Sequence, residues 1–82
     1  MQGKSEINLS RVKRDWPHHV AINADRVMGN GYDIVHGFAD TLSVGPRTYS
    51  LRRDDLDFVV FCFKDDAHAH LFGARFDGQR VS

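Results

Sequence analysis

The chain has 82 residues, of which 41% are hydrophobic and 27% charged, a balance typical of one small soluble domain. Its 11 basic and 11 acidic residues cancel, which excludes an overall field that would draw the whole molecule to nucleic acid or an anionic membrane. There is no apolar run of about 18 residues and no signal-peptide core near the N-terminus, and the only cysteine is Cys62. We therefore expect no membrane span, no intramolecular disulfide and a cytoplasmic location.

The N-terminal part differs in character from the rest of the chain. Residues 1–14 are polar and lack a sustained period, which predicts a flexible segment, with a turn of helix at 7–12 as the alternative. Trp16-Pro17 marks the start of the folded part, because a residue before proline is biased towards an extended conformation. We expect a single α+β domain at residues 15–82.

The first half of this domain predicts a strand, a loop and a helix. His18–Asn23 alternates in polarity and reads as a short strand, and residues 24–31 are rich in turn formers and predict a loop. A helix of about three turns follows from Tyr32, because apolar residues recur at helical spacing. These residues are Val35, Phe38, Ala39 and Leu42.

The second half predicts a hairpin, a helix and a short edge strand. Residues 48–53 and Leu56–Phe63 read as strands joined by a two-residue turn, and a helix capped by Asp65 or Asp66 then runs to Asp77-Gly78. Residues 80–82 suffice only for a short edge strand. The predicted fold is a ferredoxin-like βαββα(β) two-layer sandwich, an antiparallel sheet with two helices on one face.

The hairpin also predicts its own register. With Asp54-Asp55 as the turn, Arg52 lies opposite Asp57 and Leu51 lies opposite Phe58. This register pairs opposite charges on one face of the hairpin and apolar side chains on the other.

The third predicted strand is apolar on both of its faces. Phe58, Val60 and Cys62 point one way and Val59, Phe61 and Phe63 the other, whereas helices on one side of the sheet cover only one set. Exposing a Phe forgoes about 1.5–3 kcal/mol, so a second cover is expected. The candidates are the N-terminal segment with Val12 and Trp16, a second copy of the chain, or a ligand.

One stretch of the sequence resembles a known family. "DFVVFCFKDDAHAHLF" is similar to the third strand and second helix of RNA-recognition-motif domains, which share the predicted order of elements. The resemblance covers about a third of the chain and implies the same fold. The basic-Gly pair that precedes the base-stacking residues in that family is replaced here by Leu56-Asp57.

A second resemblance extends over residues 16–80. Trp16-Pro17, Arg53-Asp54-Asp55, "FCFKDDAHA" and "RFDGQR" are similar to a group of short bacterial proteins with a WP…RDD…FCF…HA…RF.G pattern. This resemblance implies no activity.

The expected function is a protein-interaction or self-associating module without a cofactor, with a homodimer or a protein partner. The candidate interaction face consists of Val59, Phe61, Phe63, Arg47, Arg52 and Arg53. The alternative is a weak binder of single-stranded nucleic acid that uses the third strand and these arginines.

Metal and catalytic sites find little support in the sequence. Zinc sites need three or four ligands, usually introduced by CxxC or HxxxH spacings, and neither spacing occurs. His68 and His70 lie about 200° apart on a helix and do not chelate one ion together. Cys62 has the apolar surroundings of an inert thiol, and an enzyme would need His19 or His36 beside it. We assign no catalytic and no metal-binding residue.

Overall fold

The computed structural model of the chain describes residues 9–81. In chain order the helices and strands are α1 (Leu9–Asp15), β1 (His18–Asn23), α2 (Ala24–Val27), α3 (Gly31–Asp40), β2 (Tyr49–Arg53), β3 (Leu56–Phe63), α4 (Asp66–Phe76) and β4 (Gln79–Arg80). The strands form one antiparallel sheet in the order β2-β3-β1-β4, which confirms the predicted α+β class. None of the described helices has the length and apolar character needed to cross a membrane.

The β2–β3 hairpin has the register that the sequence predicts. Leu51 lies opposite Phe58, and Arg52 lies opposite Asp57 with 3.0 Å between Arg52 Nη1 and Asp57 Oδ1. Asp54 and Asp55 both have positive φ angles, 53° and 66°. Two such residues form the turn whose twist matches that of the flanking strands, and aspartate is one of the few residue types that tolerates this conformation.

The main core lies between the sheet and the helices α3 and α4. Val20 and Ile22 of β1 share this face of the sheet with Phe61 and Phe63 of β3, and all four are at most 1% exposed. Phe72 of α4 is the centre of the packing, with its ring centroid 4.9 Å from those of Phe61 and Phe63. The remaining buried members of this cluster are Val27, Val35, Ala39 and Ala69.

The opposite side of the sheet, here called the second face, is partly covered by α1. Val12 of α1 is fully buried, and so are Val60 and Cys62, which alternate with the core residues of β3. Lys13 Nζ lies 4.7 Å from the ring centroid of Tyr49, the residue opposite Val60 on β2. Of the three predicted covers, the intramolecular one is therefore present, although the predicted two-layer arrangement omitted it.

Two predicted segment boundaries are wrong. Residues 9–14 belong to the folded body, because α1 buries Val12, whereas the predicted flexible residues 1–8 lie outside the described part of the chain. The predicted loop at 24–31 contains the helical turn α2, where the Asn23 side chain accepts a hydrogen bond of 2.9 Å from the Asp25 amide. Val27 of this turn is buried in the main core, and that tertiary contact overrides the turn-forming composition.

The ends of α4 follow the predicted signals. Asp65 is the N-cap, and its carboxylate accepts a hydrogen bond of 2.8 Å from the Ala67 amide. At the other end Asp77 adopts the left-handed conformation, with φ 56°, and the Gly78 amide bonds the Gly73 carbonyl. The chain then enters β4, which has only two residues and pairs with β1.

Candidate functional site

Strand β2 forms a free edge of the sheet. Among residues 9–81, β3 is the only strand that pairs with β2, and β4 at the opposite edge is less than half as long. In a hairpin with a two-residue turn, the residues flanking the turn form a hydrogen-bonded pair and the pairs then alternate. Arg53 and Leu56 are that first pair, so Ser50 and Arg52 direct their backbone N–H and C=O groups away from β3.

Beside this edge, part of the second face is not covered by α1. Leu51 and Phe58, paired across β2 and β3, are half-buried, and Leu56 is 51% exposed. Together with Arg53, which lies opposite Leu56, these residues are called the open half of the second face. The open half adjoins the free edge. A strand added to β2 would therefore enlarge the sheet and also lengthen the apolar surface of the open half.

The predicted interaction face does not exist as an open surface. Val59, Phe61 and Phe63 point towards α3 and α4, and Phe61 and Phe63 are 1% and 0% exposed, so their assignment as interface residues is wrong. Side chains alternate along β3, and the set that faces away from the main core is Phe58, Val60 and Cys62. The predicted arginines, in contrast, are all exposed: Arg47, Arg52 and Arg53. Their role in binding stays a prediction.

The charges near β2 are separated along the strand direction. Asp25, Asp55 and Asp57 surround a cavity of about 260 Å³ at the turn end of the hairpin. The other end carries cations: Lys13 lies over Tyr49, and Lys64 Nζ lies 5.1 Å from the ring centroid of Trp16. Arg52 and Arg53 also lie at the turn end, but the carboxylates there outnumber them, so the turn end is net acidic and the opposite end is basic.

A second cavity, of about 320 Å³, lies between α3 and the segment that leads into β2. The Tyr32 and His36 rings line it in a stack with 4.1 Å between centroids, and the edge of His36 faces Phe61. Arg47 and Thr48 line the side of β2. None of its polar side chains is buried, so this cavity is an open groove beside the strand edge.

Beneath α1, His19 links three elements. A carbonyl oxygen only accepts hydrogen bonds, so Nε2–H of His19 donates to the Trp16 carbonyl at 3.0 Å. Nδ1 is then unprotonated and accepts from the Tyr49 hydroxyl, also at 3.0 Å. Burial lowers the pKa of His19 and raises that of Tyr49, because the charged form of either group loses its hydration there. The sequence offered a weak signal for this network in the close spacing of Trp16 and His19.

The geometry argues against cysteine chemistry. His19 does lie opposite Cys62 in the β1–β3 pairing, as a Cys–His pair would require. Both ring nitrogens of His19 are engaged elsewhere, however, and burial raises the pKa of the fully buried Cys62 thiol to about 11. A nucleophilic cysteine needs the thiolate near neutral pH.

Two of the other histidines, His68 and His18, have structural contacts. His68 Nδ1 accepts a hydrogen bond from the Ser43 amide at 3.1 Å and ties α4 to the segment before β2, and His18 contacts Asp66. Within the described residues, no three His, Cys, Asp or Glu side chains converge as a metal site requires.

Comparison of the chain with protein-family models, with curated proteins and with solved structures found no match. The two resemblances noted in the sequence therefore stay predictions.

Proposed function

We propose that this chain is a self-associating interaction module, which forms a homodimer by antiparallel pairing of β2 with β2 of a second copy. The observation that carries the proposal is the free edge of β2, five residues long and adjoined by the open half of the second face. An unpaired edge of this kind is a template for strand addition.

The backbone restricts the registers that such a dimer can adopt. Only Ser50 and Arg52 direct backbone groups outward, so the pairing has to place even-numbered residues opposite each other. For two strands related by a two-fold axis, the axis then passes through Ser50, Leu51 or Arg52.

Charge distinguishes these three registers. An axis at Arg52 places Arg52 directly opposite its own copy, and an axis at Ser50 places Arg47 opposite the partner's Arg53; like charges in these positions are destabilising. An axis at Leu51 places Arg52 opposite the partner's Ser50 and brings Arg47 beside the partner's Asp55. The acidic turn end of each copy then lies beside the basic end of the other.

The same register also joins apolar surface. Leu51 of one copy meets the partner's Leu51 on the second face, with a Phe58 on either side, so the two open halves form one continuous strip. Arg53 of one copy falls opposite the partner's Tyr49, and the partner's Lys13 already lies over that ring. The turn carboxylates next to Arg53 offset the repulsion between these two cations.

We also propose that the fold is the ferredoxin-like split βαβ arrangement. The support is the strand order β2-β3-β1-β4, in which β3 lies between β1 and β2 and β1 lies between β3 and β4. Location in the cytoplasm belongs to the same proposal and rests on the lone cysteine.

Nucleic-acid binding, the alternative function, has less support. The base-stacking face of an RNA-recognition motif corresponds to the second face, where α1 covers Val60 and Cys62 and leaves Phe58 half-buried. Arg52 is paired with Asp57, and further carboxylates flank the arginines. The alternative makes a distinct prediction, a strongly salt-dependent affinity for single-stranded RNA.

Sedimentation velocity over a concentration range of about a hundredfold tests the dimer. A short edge interface lies below the standard size, so we expect a Kd on the order of 10–100 µM. Ser50→Pro removes one outward N–H without touching the pairing with β3, and this variant should stay monomeric. Ser50→Ala keeps the N–H and should associate like the wild type. A wild-type chain that is monomeric throughout the range contradicts the proposal, and so does a dimer that Ser50→Pro leaves intact.

A double-mutant cycle tests the register. Arg47→Gln and Asp55→Asn each remove one charge, and asparagine tolerates the positive φ angle at the turn. If Arg47 faces the partner's Asp55, each single change weakens the dimer and the double change costs less than the sum. Strict additivity would exclude the Leu51-centred register.

A further inference from the structure

His19 is the one buried polar residue among residues 9–81, with 4% of its surface exposed. It lies under α1, where its two ring nitrogens join the Trp16 carbonyl at the end of α1 to the Tyr49 hydroxyl of β2. The Trp16 carbonyl therefore requires a proton on Nε2 of His19, and burial favours the neutral ring, in which Nδ1 accepts from the Tyr49 hydroxyl.

The surroundings of His19 oppose a second proton. Besides burial, Coulombic interactions with side chains of three elements lower the pKa of His19: Lys13 of α1, His18 of β1 and Arg80 of β4. Tyr49 of β2 and Cys62 of β3 complete the surroundings, and both are neutral at physiological pH because burial raises their pKa values. The bond from Nε2 to the Trp16 carbonyl favours the charged ring, but it does not offset the loss of hydration, so the pKa is lowered.

The element above His19 is well suited to local release. An isolated helix of seven residues is not stable in water, so α1 depends on its contacts with the sheet. Those contacts are few: Val12 is buried and Lys13 lies over Tyr49. Directly after the helix, Trp16 packs against Gly45, and its carbonyl accepts the hydrogen bond from His19. The main core lies on the other face and does not include them.

We propose that α1 is a pH-gated cover of the second face, and that protonation of His19 releases it. Release opens an apolar stripe of Ala21, Val60 and Cys62, which continues into the open half with Leu51 and Phe58. The device goes beyond the proposed dimer and does not depend on it, since the dimer uses the outer backbone edge of β2, whereas α1 lies on the second face and reaches β2 at Tyr49.

The direction of the effect follows from linkage. The released state binds the proton with the ordinary histidine pKa of about 6.5, whereas the docked state binds it more weakly. Docking is therefore at full strength above this pH and weakens as the pH falls through it. At one unit below, linkage raises the open population by at most about tenfold.

Cys62 supplies an internal reporter, because its thiol is fully buried and becomes accessible when α1 leaves. The labelling rate with 4,4′-dithiodipyridine is divided at each pH by the labelling rate of the denatured chain. This ratio no longer contains the intrinsic pH dependence of the thiol. We expect this ratio to rise between pH 7.5 and 5.5 for the wild type, by at most about tenfold. The measurement uses dilute protein, below the range in which the dimer would form.

Two variants form a matched pair. His19→Gln donates to Trp16, accepts from Tyr49 and does not titrate, so its ratio should be flat with pH. His18→Gln alters the neighbouring histidine, which lies on the other face of β1, and should retain most of the rise. An equal rise in His19→Gln, or no rise in the wild type, overturns the proposal.

Two further measurements need no variant. Protection factors, which take out the intrinsic pH dependence of amide exchange, should fall for the α1 amides at pH 5.5 while those of the α4 amides stay unchanged; an equal fall in both helices means global unfolding and refutes local release. In an NMR titration of the His19 ring, protonation that leaves the α1 amides protected also refutes it.

Discussion

Truncation of Val12 measures how firmly α1 is attached to the sheet. Val12→Ala removes two methylene equivalents from a fully buried position, which costs about 1.6 kcal/mol at about 0.8 kcal/mol each. The residual cavity brings the expected loss of unfolding free energy to about 2 kcal/mol. A domain of this size has on the order of 5 kcal/mol in total, so the change is a large fraction of its stability.

Urea denaturation followed by the fluorescence of Trp16 measures this loss, and a thermal melt should show a Tm lower by about 8–16 °C. The same change should raise the Cys62 labelling rate about 30-fold, because each 1.4 kcal/mol is a factor of ten. Ser10→Ala is the matched control, since Ser10 lies on the same helix and is exposed.

The outcome that refutes the reasoning is equality of the two variants. If Val12→Ala and Ser10→Ala have the same unfolding free energy and the same labelling rate, α1 is not docked on the second face. A loss in stability without faster labelling would mean that Cys62 opens by a route that does not involve α1.

Two further changes test the packing and capping of α4. Gly78→Ala places a Cβ 2.5 Å from Ile22 Cδ1 and should cost about 1–3 kcal/mol in a denaturant titration, whereas Gly37→Ala, with nothing within 4 Å in α3, should gain about 0.5–1 kcal/mol. If both glycines respond alike, the close approach of Gly78 to β1 is wrong. Asp65→Ala removes the acceptor of the Ala67 amide and should cost about 1 kcal/mol, while Asp65→Asn retains most of it; equal losses would show that the cap is not formed.

The hairpin and the helices α3 and α4 were predictable because their signals are local. The turn Asp54-Asp55 and the alternation around it determine the pairing of Leu51 with Phe58 without any knowledge of the rest of the chain. The helical stripe of α3 and the cap of α4 are local in the same sense. Each of these signals depends on a few neighbouring residues, and the structure contains the elements that they predict.

The parts that could not be predicted depend on contacts between distant segments. The two faces of β3 are similarly apolar. Its own residues therefore do not indicate whether the face with Phe61 or the face with Val60 packs against the helices. For the same reason the sequence left the N-terminal segment as one of three candidate covers: Leu9 and Val12 are the apolar residues of α1 among charges, and the burial of Val12 becomes evident only against the sheet. The wrong assignment of Phe61 and Phe63 to an interaction face follows from this ambiguity.

The length of α1 explains why half of the second face stays open. Seven helical residues extend about 10 Å, at about 1.5 Å each, whereas the eight residues of β3 extend about 26 Å, at about 3.3 Å each. Even aligned with the strand, α1 therefore covers about two-fifths of β3, and it lies at the end of Val60 and Cys62. Leu51 and Phe58 at the other end are only partly covered within residues 9–81, and they lie beside the free edge and the acidic turn. A second copy that pairs its own β2 there supplies apolar surface and opposite charge at the place where α1 is too short to reach.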